Sequence, residues 1–110
     1  MHANLVDHLR AFCAVADHGS LTAAAKELRR PISSVSYSLS QLEAHCGFAL
    51  LGKGMNRADL TERGRVLLAE ARSVVERARS FATHAASLEK GEETRLRVLV
   101  DVLFPRADLN

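Results

Sequence analysis

The sequence predicts a mainly α-helical chain with one small β-hairpin and a final strand, on three observations. Apolar residues recur at steps of three and four in four stretches, which is the spacing of one helix face. Gly19 and Gly47 follow two of these stretches, where glycine readily ends a helix in the left-handed conformation. The segment "FALLGKGMNRADL" at 48–60 has two apolar ends around a Gly, Lys, Asn and Arg centre, which is typical of a hairpin with a basic tip.

Length and composition limit the possible functions. The chain has 110 residues, of which 47% are hydrophobic, and that is enough for a core. Fifteen Lys and Arg against thirteen Asp and Glu give a net charge of +2, too weak to bind polyanions by bulk charge, so any nucleic-acid site must be local. No apolar run approaches the roughly 20 residues of a membrane span, and no secretion signal is recognisable. We therefore expect a cytoplasmic protein without a membrane partner.

The first helix is predicted from Leu5 to about His18, and Gly19 ends it. Ser20 then supplies a side-chain oxygen that can cap a short second helix. The apolar stripe of the first helix consists of Leu5, Leu9, Phe12, Cys13 and Ala16, and that of the second of Leu21, Ala24, Ala25 and Leu28.

A third helix is expected to begin at Arg29, Arg30 and Pro31, because proline is tolerated in a first helical turn. One face of it is expected to pack mostly inward, and it holds Ile32, Val35, Leu39, Leu42 and Cys46. The opposite face holds Ser33, Tyr37, Ser40, Gln41 and Ala44, with Ser34 and Ser36 on its flanks.

A fourth helix is predicted from a cap at Thr61 to about Lys90. Apolar residues repeat along it with a period of 3.5, which pairs helices in a coiled coil. The alternative is that this helix folds onto its own domain, but that domain is too small to cover a helix about 40 Å long. The predicted dimerisation seam consists of Leu67, Ala71, Val74, Ala78, Phe81, Ala85 and Leu88.

The last segment, "RLRVLVDVLF", is nearly continuous β-branched and apolar sequence ended by Pro105, which is typical of a strand buried in a parallel sheet. One strand has no sheet of its own, so we expect the chain to stop just inside a second domain. The expected organisation is a first domain at 1–60, a linker helix with coiled-coil character at 61–90 and the truncated start of a second domain at 91–110.

Two helices joined by a short turn and followed by a basic hairpin describe a winged helix-turn-helix, in which the second helix of the pair enters the DNA major groove. The segments "LRAFCAVADHGSLTAAAKEL", "SSVSYSLSQLEAHCG" and "ADLTERGRVLL" resemble the LysR-type transcriptional regulators, over roughly residues 5–90. The resemblance implies that 1–60 is a DNA-binding domain with double-stranded DNA as partner and that 91–110 is the truncated start of an effector-binding domain. It also implies a homodimer through the linker helix, tetramers of the full-length protein, and a small-molecule effector for the further domain only.

The resemblance also points to departures from the family pattern. The family usually opens its recognition helix with serine, glutamine and proline, where this chain has Pro31, Ile32 and Ser33. Ile32 cannot make the polar contact of that glutamine and offers only an apolar one, for which a thymine methyl group is suited. Tyr37 stands where many members have arginine, and Lys53 keeps a positive charge without the planar fork of arginine.

Two groups of residues are expected to contact DNA. Phosphate contacts fix the position of a protein on DNA, whereas contacts to base edges give sequence preference. The expected phosphate contacts are Arg29 and Arg30 at the turn and Lys53 and Arg57 on the wing. The expected groove contacts on the recognition helix, around 32–46, are Ile32, Ser33, Ser34, Ser36 and Tyr37.

Two other classes of function are alternatives to DNA binding. The first is a helical protein-interaction and dimerisation module that has lost DNA binding, which the weak net charge and the departures at Ile32 and Tyr37 favour. The second is an enzyme or metal site built on Cys13, His18, His45 and Cys46, but both cysteines occupy apolar-face positions and the spacing matches no common zinc arrangement. We expect no enzyme activity, no metal and no cofactor.

Overall fold

The computed structural model describes residues 4–52, 59–88 and 93–104, the last of these with side chains from residue 97 onward. Within these residues the chain forms five α-helices. In chain order they are α1 Leu5–His18, α2 Leu21–Leu28, α3 Ile32–Cys46, α4 Glu62–Leu88 and α5 Glu93–Leu103.

The ends of α1 are fixed by caps on both sides. The Asn4 side chain accepts a hydrogen bond from the amide of Asp7 at 2.8 Å, which caps the first turn. Gly19 adopts the left-handed conformation at φ 78° and donates its amide to the Val15 carbonyl, as the sequence predicts. Ser20 then caps α2 through a 3.0 Å bond from the amide of Ala23, so the predicted boundary between the two helices is confirmed.

The turn between α2 and α3 has an unusual backbone. Arg29 lies at φ 58° and ψ 46°, in the left-handed region that a non-glycine residue seldom adopts. The Arg30 amide bonds to the Ala25 carbonyl at 3.0 Å and so closes the end of α2. Pro31 directly precedes α3, and Gly47 at φ 85° ends it, which confirms the predicted limits of the third helix.

The core forms around α1, which packs against α2, α3 and α4. Ala24 and Ala25 are buried on α2, where their small side chains allow α1 to approach closely. Leu50, in the segment after α3, is fully buried and joins this segment to the helices. The remaining core residues are Ala11, Phe12, Ala14, Val15, Val35, Leu39, Leu42 and Ala71.

The described residues do not show the predicted β-hairpin. Leu51 and Leu60 form an isolated antiparallel bridge, and the Gly52 amide donates to the Asp59 carbonyl at 2.6 Å. In the described part of the chain this is the sole β-bridge, and no strand is formed. Residues 53–58, which include the predicted basic tip, lie outside the described residues.

The cap predicted for α4 is confirmed, because the Thr61 hydroxyl accepts the amide of Gly64 at 3.0 Å. The same hydroxyl donates to the Ala49 carbonyl at 2.8 Å and so ties the helix start to the segment after α3. The helix runs to Leu88, a length of about 40 Å at 1.5 Å per residue. None of the described helices combines the length and the apolar character needed to cross a membrane.

The strand predicted in "RLRVLVDVLF" is wrong, since residues 93–103 form helix α5, which packs against α4. A helix satisfies its own backbone hydrogen bonds, whereas a strand needs a neighbour, and the described residues hold no strand to provide one. The apolar run also has helical spacing. Val98 and Val102 are exposed, whereas Leu99, Val100 and Leu103 are partly covered and Phe104 is buried.

Candidate nucleic-acid interface

The accessible face of α3 holds most of the predicted groove-facing residues. Ser33, Ser36 and Tyr37 are exposed, Tyr37 at 53% of its surface, while Val35, Leu39 and Leu42 bury the other face. The helix contains no lysine or arginine. It therefore presents hydroxyl groups and one aromatic ring on a helix whose opposite side is fixed by the core.

Ile32 departs from the predicted inward stripe. Ile32 is the first residue of α3 and is 45% exposed. An isoleucine at the leading edge of the helix adds an apolar contact surface to the neighbouring serines.

Arg30 is placed differently from the predicted phosphate contact. Its side chain is only 8% exposed, and the guanidinium points into the protein, where Nη1 lies 3.3 Å from the Asp7 carboxylate on α1. Nη2 donates to the hydroxyls of Ser34 and Ser38 on α3, both at 2.7 Å. In this conformation Arg30 is an internal residue, because its hydrogen-bond donors are directed at protein acceptors.

Ser34 also directs its polar groups at Arg30. Its hydroxyl accepts from Arg30 Nε at 3.0 Å as well as from Nη2, and its carbonyl accepts from Nη2 at 2.8 Å. Ser38, one turn further along α3, has no exposed surface. Of the five serines of α3, Ser33, Ser36 and Ser40 are exposed, whereas Ser34 and Ser38 bond to Arg30.

Only some of the basic residues predicted around α3 belong to the described residues. Arg29 is exposed at the turn that leads into the helix. Lys53 and Arg57 belong to residues 53–58 and lie outside the described residues. The described residues therefore bring Arg29 together with Ile32, Ser33, Ser36 and Tyr37 at the start of α3.

The segment that would support the wing is fixed to α3 by Glu43. One oxygen of its carboxylate accepts the amides of Leu50 and Leu51, at 2.7 and 3.1 Å. Bonds from backbone amides to a charged acceptor are among the stronger hydrogen bonds in proteins. The Arg63 guanidinium lies over the ring of Phe48, 4.9 Å from its centroid, and joins the start of α4 to the same segment.

The predicted dimerisation seam is covered at its start and open beyond it. Ala71 is buried and Leu67 is partly buried against the core of the same chain. Further along, exposure of the largest seam side chains rises from 41% at Val74 to 61% at Phe81 and 82% at Leu88. Val75 and Ala82 lie buried on the adjacent face of α4.

The seam begins beside an apolar groove of about 200 Å³ between α1, α3 and α4. Its lining is almost entirely apolar and includes Leu5, Leu9, Cys46, Leu67 and Val74. The start of the seam and this groove form one continuous apolar surface.

A surface ion pair also joins α1 to α4. Arg72 donates through both terminal nitrogens to the Asp17 carboxylate, at 2.7 and 3.2 Å, and about half of each side chain is exposed. The hydrogen bond from Arg72 holds the pKa of Asp17 below its ordinary value. An exposed pair of this kind adds little stability but fixes the relative position of the two helices.

The residues considered for a metal or catalytic site do not come together in the described part of the chain, where no three His, Cys, Asp or Glu side chains are grouped as metal binding requires. Cys13 and Cys46 are both free and partly buried. Burial raises the pKa of the Cys13 thiol, which favours its protonated form.

Sequence reasoning missed two positioning residues. The sequence carries no specific signal for Asp7, since an acidic residue in the first turn of a helix is usually explained by the helix dipole alone. The partners of Glu43, Leu50 and Leu51, lie beyond the end of α3. The signal available for Glu43 is a carboxylate one turn before a glycine helix end, followed by a short apolar segment with free amides.

Residues 6–65 match the family model described as "Bacterial regulatory helix-turn-helix protein, lysR family". The match covers α1 from Val6 onward, all of α2 and α3, the segment after them and the start of α4. It therefore covers more than half of the chain and includes every residue predicted to contact DNA.

Comparison with known proteins adds three similarities. The chain is 35% identical over 100 residues to the "Probable HTH-type transcriptional regulator YhaJ" of Escherichia coli, covering 91% of this chain and 34% of the relative. It is 38% identical over 97 residues to the "HTH-type transcriptional regulator PtxR" of Pseudomonas aeruginosa, covering 88% and 31%. The solved structure titled "Crystal structure of CbnR_DBD-DNA complex" matches with a TM-score of 0.68 and 33% identity, covering 76% of this chain and 98% of that one.

The chain spans about a third of the length of the curated relatives that it matches. The family match at residues 6–65 includes α2 and α3, the two helices at the candidate interface. The chain belongs to the lysR family of bacterial regulatory helix-turn-helix proteins.

Proposed function

We propose that this chain is the DNA-binding part of a LysR-type transcriptional regulator and binds double-stranded DNA with sequence preference, with α3 in the major groove. The observation that carries the proposal is the outward face of α3, where Ile32, Ser33, Ser36 and Tyr37 lie together on a helix that the core holds in place. The regulators YhaJ and PtxR and the DNA complex of CbnR_DBD support it by similarity.

The proposed phosphate contacts flank α3. Arg29 lies at its start, and we propose that residues 53–58 form the tip of a β-hairpin wing, on which Lys53 and Arg57 contact the DNA backbone or minor groove. The antiparallel bridge between Leu51 and Leu60 supports this wing. Pro31 has no side chain that can cap the first amides of α3, and such amides attract a phosphate.

The proposed base contacts come from short side chains. The hydroxyls of Ser33 and Ser36 donate or accept hydrogen bonds at base edges, Tyr37 offers a ring and a hydroxyl, and Ile32 suits a thymine methyl group. Arg30 and Ser34 are left out of the contacting set, because their polar groups bond to each other inside the protein.

We further propose that two copies pair through α4. Val74, Phe81 and Leu88 form an exposed apolar stripe, which is unusual on the surface of a soluble helix. Burying this stripe in a coiled-coil contact removes it from water and presents two α3 helices to a DNA site with approximate dyad symmetry. The wider proposal is a cytoplasmic regulator with an effector-binding domain beyond α4, which binds a small molecule and joins dimers into tetramers.

The test is to select duplexes from a random DNA library with the unmodified chain and to measure its affinity for a selected and a scrambled duplex over a range of salt concentrations. We expect the selected duplex to bind more tightly and the affinity for both to fall steeply with salt. Tyr37→Ala should reduce the preference for the selected duplex. Arg57→Ala should weaken both complexes and lower the salt slope by about one.

A matched control is Arg77→Ala, which removes an exposed cation of α4 away from α3. This variant should leave the preference and the salt slope unchanged. Absence of DNA binding by the unmodified chain at low salt would overturn the proposal and favour a protein-interaction module.

A further inference from the structure

The side chain of Arg30 connects the first turns of α3 to α1 through a buried network. Its guanidinium lies 3.3 Å from the Asp7 carboxylate, and the two side chains are 8% and 7% exposed. The guanidinium also donates to three oxygens of α3, which are the carbonyl and the hydroxyl of Ser34 and the hydroxyl of Ser38. One side chain from the turn before α3 therefore contacts α1 and two successive turns of α3.

The chemistry of this network is specific for arginine. A guanidinium presents its donors as a rigid planar fork, so acceptors on both sides of it must lie in fixed directions. Ser34 and Ser38 are four residues apart and share one face of α3, so bonds to both fix the rotation of the helix about its own axis. A lysine at this position has a point charge and sets no such direction.

The rotation of α3 decides which residues face outward. Ser33 and Tyr37 each directly precede one of the two serines that Arg30 holds, and both are exposed, as are Ile32 and Ser36. A small rotation of α3 would move their polar atoms relative to a DNA base edge, where hydrogen bonds depend strongly on distance and angle. The orientation of the outward face is thus set from the inside of the protein.

We propose that Arg30 is a positioning residue for DNA recognition and that its buried pair with Asp7 sets the sequence preference of the chain without touching DNA. This inference depends on the proposed function, since it concerns how the same α3 face recognises a duplex. It differs from a phosphate contact, which would supply affinity for every sequence and would respond to salt.

The experiment compares Arg30→Met and Arg29→Met with the unmodified chain. The probes are a duplex selected from a random library by the unmodified chain and a scrambled duplex of the same length and composition. We expect Arg30→Met to weaken binding to the selected duplex about tenfold or more while binding to the scrambled duplex stays within about twofold and the salt slope is unchanged. Arg29→Met, at the exposed neighbour, should weaken both complexes and lower the slope by about one.

Four further variants separate positioning from general stability. Asp7→Asn should reproduce the loss of preference, and the double variant Asp7→Asn with Arg30→Met should lose little more than either single one. Ser38→Ala removes one acceptor with a smaller change to the fold, so it should lower the preference to an intermediate value even if Arg30→Met does not fold. Ala82→Gly destabilises α4 away from α3 and should keep the preference of the unmodified chain.

Each outcome is informative. If Arg30→Met weakens both duplexes equally with a lower salt slope, Arg30 contacts phosphate and the inference is wrong. If Ala82→Gly loses the preference as much as Ser38→Ala does at equal loss of thermal stability, the network is only structural and the inference is also wrong. If the unmodified chain prefers no duplex at all, the proposed function itself fails, which is a distinguishable result.

Discussion

The backbone of Gly64 lies against the carbonyl oxygen of Leu50, so closely that a Cβ atom at position 64 would overlap with it. Gly64 is in the first turn of α4, and Leu50 is the fully buried residue of the segment after α3. This contact sets how closely the long helix approaches the base of the proposed wing.

Replacing Gly64 by alanine should therefore destabilise the chain, although alanine is the better helix former. We expect the free energy of unfolding to fall by about 1–3 kcal/mol, the usual cost of overpacking a tight site. Urea denaturation followed by circular dichroism measures this. Ser73→Ala, at an exposed position of α4, should change stability by less than about 0.5 kcal/mol, and equal effects of the two variants would contradict the explanation.

Stability should depend on pH through His8, which is buried on α1 and whose Nδ1 has no hydrogen-bond partner among the described residues. Burial lowers the pKa of His8 below 6.5, and the charges of Arg30 and His45 act in the same direction, while Asp7 opposes them. The unfolded chain then binds the proton more readily than the folded chain. The contribution of neutral His8 is thus present above about pH 6.5 and is lost as the pH falls through the lower, folded-state pKa.

Denaturation at pH 8, 6 and 5 should show this loss in the unmodified chain, and His8→Gln should reduce it because glutamine does not titrate. A constant difference in stability between the two chains from pH 8 to pH 5 would rule out His8 as the source.

Association of two chains should depend on Phe81, which is 61% exposed in the middle of the α4 stripe. A carboxylate at this position would be buried without a partner in the proposed pair, which is strongly unfavourable. We expect Phe81→Glu to weaken association more than tenfold, measured by sedimentation equilibrium. Ser73→Glu places the same charge on an exposed position off the seam and should leave association nearly unchanged, whereas dimers of unaltered affinity in Phe81→Glu would exclude this seam.

The position of α5 should depend on Phe104. Two guanidinium groups lie over its ring, that of Arg79 at 4.8 Å and that of Arg10 at 5.4 Å from the centroid. Asn4 also donates to the Val102 carbonyl at 2.6 Å. Each cation–π contact is worth roughly 0.5–1 kcal/mol at such a site, and an 11-residue helix has little stability of its own.

Phe104→Ala should therefore release α5 locally, so that amide hydrogen exchange of residues 98–103 becomes faster while α1 exchanges as before. Val102→Ala, which changes an exposed side chain, is the matched control. Unchanged exchange in Phe104→Ala would show that α5 is held by other contacts.

The parts of the fold that local chemistry decides were predictable from the sequence. Gly19 and Gly47 end helices, and Ser20 and Thr61 cap them, because each acts on amides or carbonyls within a few residues of itself. The burial of Ala24, Val35 and Leu39 followed from helical spacing in the same way.

Two sequence expectations depend on a partner that is distant in the chain. Arg30 looks like surface charge until Asp7, 23 residues earlier, is seen beside it. The apolar run that forms α5 fits a strand or a helix equally in sequence, and the choice depends on what surrounds it. Composition alone could therefore not show which arginine near α3 faces outward.

Arg29 adopts the left-handed conformation in the turn before α3, which raises the free energy of the folded chain by about 1–2 kcal/mol relative to glycine at this position. A protein engineer who wanted a more heat-resistant chain would choose glycine for this position. The same change would delete a cation from the surface proposed to contact DNA. Glycine at position 29 therefore favours stability, whereas a cation there favours the proposed DNA contact. Sequences optimised for stability should differ at this position from sequences optimised for binding.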